Sequence, residues 1–494
     1  MDLAHSSSCL ATPRARVWQN LSIWLERYAL VIVAAMMIGY TIVLTTAAIA
    51  KYNAYAMGFD LALYEQQIWN TSQGRWFETS IFSFTNNALG VDLQLIEAPL
   101  ALAYALVPSV FTLLFLQSAA LALGALPLYL LARNRLGAAW AGLALAFAYL
   151  LYPIVVNTNL YELRLRSFAV APLLFSLYFL ETKRARWFYV SLFLALLCRT
   201  DIGLVVAMIG VYALWRRRPI QFWSVPIIVG VMWVALSVFV IVPRLSSGAP
   251  FLFTSIYSYL GDTPSAMMQT IVTRPLFVLE NVITAGKLEY LNGLFAPVAY
   301  LALLNPAALL IAAPTFALNL LSPSRLHWDL THGYSILIAP FVFAGTVQAI
   351  RWLRERAGKT FLAREIGLGV LIGLVVLATL LVNVLWGNGV ARWIARKPSP
   401  RVALVREIAA QIPNDASLAA SSLVAPILPP RRALYYFPGN QSYGVSNLDR
   451  AEFIFVDQDG ANEQAQELLA KYRQDPRWQV LVEREGLVLL KRKD

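Results

Sequence analysis

Side chains able to do chemistry gather in four short polar stretches set between long apolar runs. The first is Gly58-Phe59-Asp60-Leu61-Ala62-Leu63-Tyr64-Glu65-Gln66-Gln67-Ile68-Trp69-Asn70, whose helical alternation of apolar and polar positions predicts an interfacial helix with Asp60 near its start. A carboxylate there can act as a general base, or it can cap the free N–H groups of the helix. The second stretch, Asn157 to Arg166, sets Glu162 beside Arg164 and Arg166. Two guanidinium groups suit a phosphate or pyrophosphate head; the alternative is pairing with Glu162 and with anionic lipids. In the third, Cys198-Arg199-Thr200-Asp201 joins two apolar segments too short to span comfortably, which puts Arg199 and Asp201 at the floor of a cavity. Arg199 there suits a ligand phosphate, or it neutralises Asp201 within a buried turn. The fourth, Ser322 to Tyr334, carries His327, Asp329 and His332; that spacing is weak for a metal and reads better as a surface loop or as a substrate-contact loop including His332 and Tyr334. Glu78, Asp92 and Glu97 complete the acidic set.

Holding these residues requires a frame built for lipid. Of 494 residues, 59% are hydrophobic and 14% charged, with a mean hydropathy of +0.59, which excludes an ordinary soluble domain. Two cysteines and three histidines exclude a disulfide framework and make zinc or haem chemistry a poor fit. The net charge of +12 follows from basic clusters at the ends of apolar runs, a topological signature, so no nucleic-acid partner is expected. Residues 1–27 form a basic cytoplasmic segment, and Tyr28 to Ala50 reads as a signal anchor. Further spans are expected at Val110–Ala132, Gly137–Val155, Ser167–Leu180, Trp187–Leu197, Ile202–Trp215, Phe222–Val242, Leu288–Leu304, Ala307–Leu321, Tyr334–Ile350 and Ile366–Trp386. The result is a polytopic α-helical protein of about eleven transmembrane helices, N-terminus inside, with residues 28–390 as its membrane domain and 51–109 as a long first outer loop. Leu93 to Leu106 is short and contains Glu97, so it reads as an interfacial or re-entrant helix.

After about residue 400 the charge content becomes that of a soluble protein. Residues 400–494 predict a small extracytoplasmic α/β domain: a helix at Arg401–Gln411, strands at Ser417–Ser422, Ala433–Phe437 and Ala451–Val456, a helix at Asn462–Arg473, and a hairpin over Gln479–Lys491 turning at Glu485-Gly486. It carries no glycine-rich phosphate loop and no Ser/His/Asp set, and is assigned no chemistry.

Phe59-Asp60-Leu61-Ala62 with Gln66, Ile68-Trp69-Asn70-Thr71 and Gly74-Arg75, then Ala98-Pro99-Leu100, the run Ala125 to Arg133, and Asp201 together resemble the prokaryotic membrane-protein family called domain of unknown function 2079. That family is in turn similar to GT-C glycosyltransferases such as protein mannosyltransferases and the aminoarabinose transferase of lipid A. The resemblance covers most of residues 51–350, and the tail is similar to the family's usual C-terminal extension. It implies a GT-C-like fold in the plasma membrane, a polyprenyl-phosphate-linked sugar donor, and an envelope glycan, lipid or protein acceptor on the outer face. It further implies that Asp60 is the catalytic base or a metal-contacting carboxylate. Glu162 and Asp201 are then supporting carboxylates, and Arg199, Arg164 and Arg166 contact the phosphate. Asp92, Glu65, His332 and Tyr334 complete the substrate-binding set. No metal ligand set is assigned, although a divalent cation is compatible with the resemblance. The sequence departs from the family where His commonly stands at Asp92, where His and Glu stand at Arg164 and Arg166, and where an acid stands at Thr200. Those departures leave open a different donor or acceptor, or a catalytically inactive scaffold; a transporter or lipid flippase is the reading from another class.

Overall fold

A computed structural model describes residues 13–248, 252–356, 361–387, 389–439 and 447–493. Among them five helices are long and apolar enough to cross a membrane: Ile23–Asn53, Val110–Leu136, Ile220–Leu245, Ile336–Arg356 and Gly367–Trp386. The bent pair Ala139–Leu150 and Pro153–Tyr161 makes a sixth if it forms one span. Pro153 opens the second half of that pair, where its missing N–H breaks the ladder at little cost.

Four elements position the site. Helix α1 (Pro13–Asn53) is the first span, α2 (Phe59–Ser72) follows it after a short turn, α3 (Glu97–Leu106) is the short apolar helix expected near Glu97, and α4 is the span Val110–Leu136. The two short helices around residue 200 are Ala185–Leu196 and Ile202–Trp215, with Arg199 and Asp201 in the turn between them. Glycines let the second of these approach Ile220–Leu236 closely, since a Cβ on Gly203 would lie 2.7 Å from the Gly230 carbonyl oxygen.

The run Leu288–Leu304, expected as one span, is instead broken. Helix Ala285–Phe295 gives way to short 3₁₀ turns, and Ala299 and Tyr300 both adopt left-handed backbone conformations. Hydropathy reads such a stretch as continuous because apolar composition says nothing about backbone sign.

The tail forms a five-stranded sheet in the order β2-β1-β3-β5-β4, with β1 at Leu418–Ala420, β2 at Leu434–Tyr436, β3 at Phe453–Asp457, β4 at Trp478–Arg484 and β5 at Leu487–Arg492. β1 pairs in parallel with β2 and β3, and β5 runs antiparallel to β3 and β4. Helices Pro400–Ala409 and Glu463–Gln474 complete it, within a few residues of the expected elements. The sheet does not stand apart from the helices. Leu61 and Ile68 of α2 share one buried apolar core with Leu418, Phe455 and Leu489 of the sheet. Polar ties reinforce that seam: Ser80 Oγ donates to the Leu434 carbonyl at 2.7 Å, and Gln66 Nε2 to the Arg432 carbonyl at 2.9 Å.

Candidate functional site

Helix α2 starts without a capping side chain of its own. Gly58 occupies the N-cap position, and the bonds that satisfy the helix start come from far along the chain: Glu162 accepts the Gly58 N–H at 3.1 Å and the Leu61 N–H at 3.0 Å. A side chain at residue 58 would collide with the Glu162 carboxylate, which is why glycine stands there. Capping therefore belongs to Glu162, leaving Asp60 in the first turn of α2 free to face outward. Burial and the neighbouring Asp60 push the Glu162 carboxyl above the usual glutamate range, while Arg164 and Lys51 pull it down.

Asp60 opens onto a cavity of about 450 Å³, lined also by Tyr64, Asp92, Glu162, Arg164, Arg199, His332 and Tyr334. Its carboxylate is 41% exposed and pairs with Arg164 Nη1 at 2.8 Å. The Arg164 guanidinium lies 4.6 Å from the ring centre of Tyr161 and 5.5 Å from that of Tyr334, which fixes its plane. Deeper in, Arg199 Nε stands 2.7 Å from Asp92 and 3.5 Å from Asp201, and Arg166 Nη2 donates to Asp201 at 2.6 Å. Asp201 thus holds two guanidinium groups, and the Arg199 to Asp201 pairing is secondary to the Asp92 contact. Arg166 lines a small adjoining pocket with Arg164, Arg199 and Tyr334 rather than the main cavity.

Below Asp92 lies Glu97, fully buried and with neither carboxylate oxygen hydrogen-bonded. Burial, and after it the Asp92 charge, push its carboxyl well above the usual glutamate range. His332 lines the cavity, its ring centre 4.8 Å from that of Tyr161 in a tilted contact and its Nδ1 3.4 Å from Asp329. His327 lines the cavity as well: its Nδ1 sits 2.5 Å from Ser322 Oγ, and burial together with Arg166 and Arg199 lowers its pKa to about 4.

Glu65 is not at this cavity. The 3.6-residue period turns it to the opposite face of α2 from Asp60, where it accepts a hydrogen bond from Tyr104 Oη at 2.9 Å. The proposed site set therefore converges except for Glu65, with Arg166 and Asp201 one layer behind the wall.

Sequence reasoning missed the tail's contribution. Ser422 and Tyr436 line the cavity; Ser422 Oγ accepts the Phe59 N–H at 3.2 Å, and the Tyr436 ring packs 4.5 Å from that of Phe59. It also missed Lys51, whose Nζ donates to the Leu160 and Tyr161 carbonyls at 3.0 and 2.6 Å and so ties α1 to the Glu162 turn. Lys51 sits in the last turn of an apolar helix, a position that was available as a signal for a C-terminal polar contact.

As to a cation, among the described residues no group of three or more His, Cys, Asp or Glu side chains is placed to hold a metal. Asp60, Asp92 and Asp201 each face a guanidinium instead, so the residues present do not fit a bound divalent ion.

The apolar helices and the charged cavity they hold define a helical membrane protein. The chain belongs to the family described as predicted membrane protein (DUF2079), which it matches over residues 51–489. Among solved structures it is similar to ArnT from Cupriavidus metallidurans bound to undecaprenyl phosphate, at 13% identity and a TM-score of 0.57, covering 92% of this chain and 97% of that one. ArnT from the same organism in the apo state gives 12% identity and a TM-score of 0.53, over 97% and 98% of the two chains. The apo oligosaccharyltransferase of Archaeoglobus fulgidus is less similar, at 11% identity over 84% of this chain and 69% of that one with a TM-score of 0.44. At these identities the likeness to ArnT is one of fold. No curated protein matches the sequence.

Proposed function

We propose that this chain is a GT-C-type glycosyltransferase that moves a sugar from a polyprenyl-phosphate-linked donor to an acceptor in the cell envelope. In the full reading it sits in the plasma membrane with about eleven spans, the N-terminus inside and the tail domain outside. The observation that carries it is the convergence of Asp60, Arg164, Arg199, His332 and Tyr334 on one cavity within a fold that ArnT shares, ArnT having been seen with undecaprenyl phosphate.

In the reaction the acceptor hydroxyl oxygen bonds to the anomeric carbon, and its proton passes to the Asp60 carboxylate. The bond from that carbon to the phosphate oxygen breaks, and the lipid phosphate leaves with the electron pair. Arg164 and Arg199 offset the charge that grows on the departing phosphate. Glu162, by capping α2, sets where Asp60 points; Asp201 and Asp92 orient Arg166 and Arg199. These three are positioning residues.

One observation favours the inactive-scaffold reading: both cavity-lining cations already face carboxylates, Arg164 facing Asp60 and Arg199 facing Asp92. Transfer requires the donor phosphate to draw Arg164 away from Asp60. The deciding experiment gives purified protein a panel of polyprenyl-phosphate sugars and follows release of the lipid phosphate, with Asp60→Asn as control. Release that depends on Asp60 supports transfer, whereas no release from any donor, with Asp60→Asn behaving as wild type, sinks it in favour of the scaffold.

A further inference from the structure

On the far side of α2 a second cavity, about 470 Å³, opens between the first-loop helices and the tail domain. Asp60, Tyr64 and Gln67 look into the first cavity, and Glu65 looks into this one, so the helix is the wall between them.

Its location is set by two spans. Tyr52, on its wall, is one residue from the end of α1, and Ser109, Val110 and Phe111, also on its wall, begin α4. Those are the ends of apolar helices, hence the boundary of the hydrocarbon layer. Beside it α3 and the residue that follows it expose Leu102, Leu106 and Val107 at 69, 84 and 61%. Three large apolar side chains that open at a membrane boundary suit acyl chain, not water.

The opposite wall has a different character. Arg406 comes from the tail helix Pro400–Ala409 and lies beside the Tyr52 phenol, and Asn414 follows it. The capped start of α4, where Ser109 Oγ accepts the Phe111 N–H, adds a positive helix end. A cation above an apolar lip at an interface is complementary to an anionic head carrying a hydrocarbon chain.

We propose that this cavity holds the head group of an anionic phospholipid from the leaflet it opens on, with the phosphate toward Arg406 and the chain along Phe111 and α3. The volume suits a head group and the first methylenes, within the usual range for ligand sites. Glu65 opposes it only in part: with its carboxyl pushed up to about 7 by burial and already bonded to Tyr104, it carries about half a charge at neutral pH and less below it. This site is independent of the transfer reading and stands or falls without it.

The test uses the full chain in phosphatidylcholine vesicles doped with phosphatidylglycerol or phosphatidylcholine carrying a diazirine near the head end of one chain. After irradiation, labelled peptides are mapped. Phosphatidylglycerol should label residues 104–111 and 426–430 above phosphatidylcholine, and unlabelled phosphatidylglycerol should compete. Arg406→Glu should lower that labelling roughly tenfold, the scale of reversing one basic residue at a lipid surface. Ala410→Trp should block it by filling the space. Labelling along Ile220–Leu245 serves as the control for folding and insertion, and should stay constant in both variants. Equal labelling by the two lipids, or no response to either variant while the control holds, overturns the proposal. Displacement by undecaprenyl phosphate but not by phosphatidylglycerol also overturns it, because the occupant would then be a polyprenyl lipid.

Discussion

Helix α2 carries two carboxylates five positions apart and holds them in opposite surroundings. Asp60 is 41% exposed, opposite a guanidinium, at the mouth of a cavity shared with Arg199 and Tyr334. Glu65 is 6% exposed, bonded to a phenol, and faces the tail. The same functional group thus meets a guanidinium on one face, and on the other is buried with its pKa raised to about 7. What differs is the partner: a cation lowers the cost of ionisation, whereas burial against tyrosine and apolar side chains raises it. A short amphipathic helix at a membrane surface can therefore serve two sites at once, provided its ends are fixed.

The largest effect expected is on the Asp60 face. Asp60→Asn keeps the shape and removes the base, so sugar transfer should fall by about two to four orders of magnitude. Glu65→Gln should leave transfer within about threefold of wild type, since the amide can still accept from Tyr104 at roughly the cost of one modest hydrogen bond. Rates measured side by side on the same donor check the pair; equal losses would break the division of labour between the faces.

Next in size is the device that fixes the helix end. Gly58→Ala pushes a methyl group into the Glu162 carboxylate and disturbs the cap. A displacement of about 1 Å at the base costs on the order of a hundredfold in rate. Because the donor phosphate is held by arginines outside this cap, kcat should drop while the donor KM stays nearly constant. A merely structural role would lower the amount of folded protein and leave kcat per folded molecule unchanged. Tyr436→Ala should have a smaller effect, within about tenfold, the worth of losing one aromatic pair against Phe59. It tests whether the tail shapes the Asp60 face, and an unaltered rate would confine the tail to the Glu65 side.

How far the sequence carries this picture depends on whether a feature is local. The position of α2, the turn at Arg199 and Asp201, and each strand of the tail are written in hydropathy period and turn chemistry, which act over a few residues, and they stand within a few positions of expectation. The separation of Asp60 from Glu65 was also available from helical period alone, yet grouping by charge put both in one site. The Glu162 cap was not available: it joins residues 104 positions apart, and nothing near Gly58 signals that its partner is a distant carboxylate. Ser422 and Tyr436 escaped for the same reason, since a tail with its own charge balance and strands reads as separate until its apolar face is seen against α2.

The smallest expected effect is one of stability and belongs to the Glu65 face. Burial raises the Glu65 carboxyl from the ordinary glutamate value to about 7 in the folded protein, with the Tyr104 hydrogen bond pulling the other way. Between those two values the folded chain binds a proton that the unfolded chain has released. Stability from this group is therefore complete below the unfolded pKa and declines as pH rises toward 7. Glu65→Gln, which cannot ionise, removes that decline. Thermal melting of the detergent-solubilised protein between pH 5 and pH 7.5 should show wild type losing stability relative to the variant as pH increases, with the curves converging at the acid end of that window. Parallel curves would mean that Glu65 is ionised throughout, and that burial on this face of α2 does not raise its carboxyl.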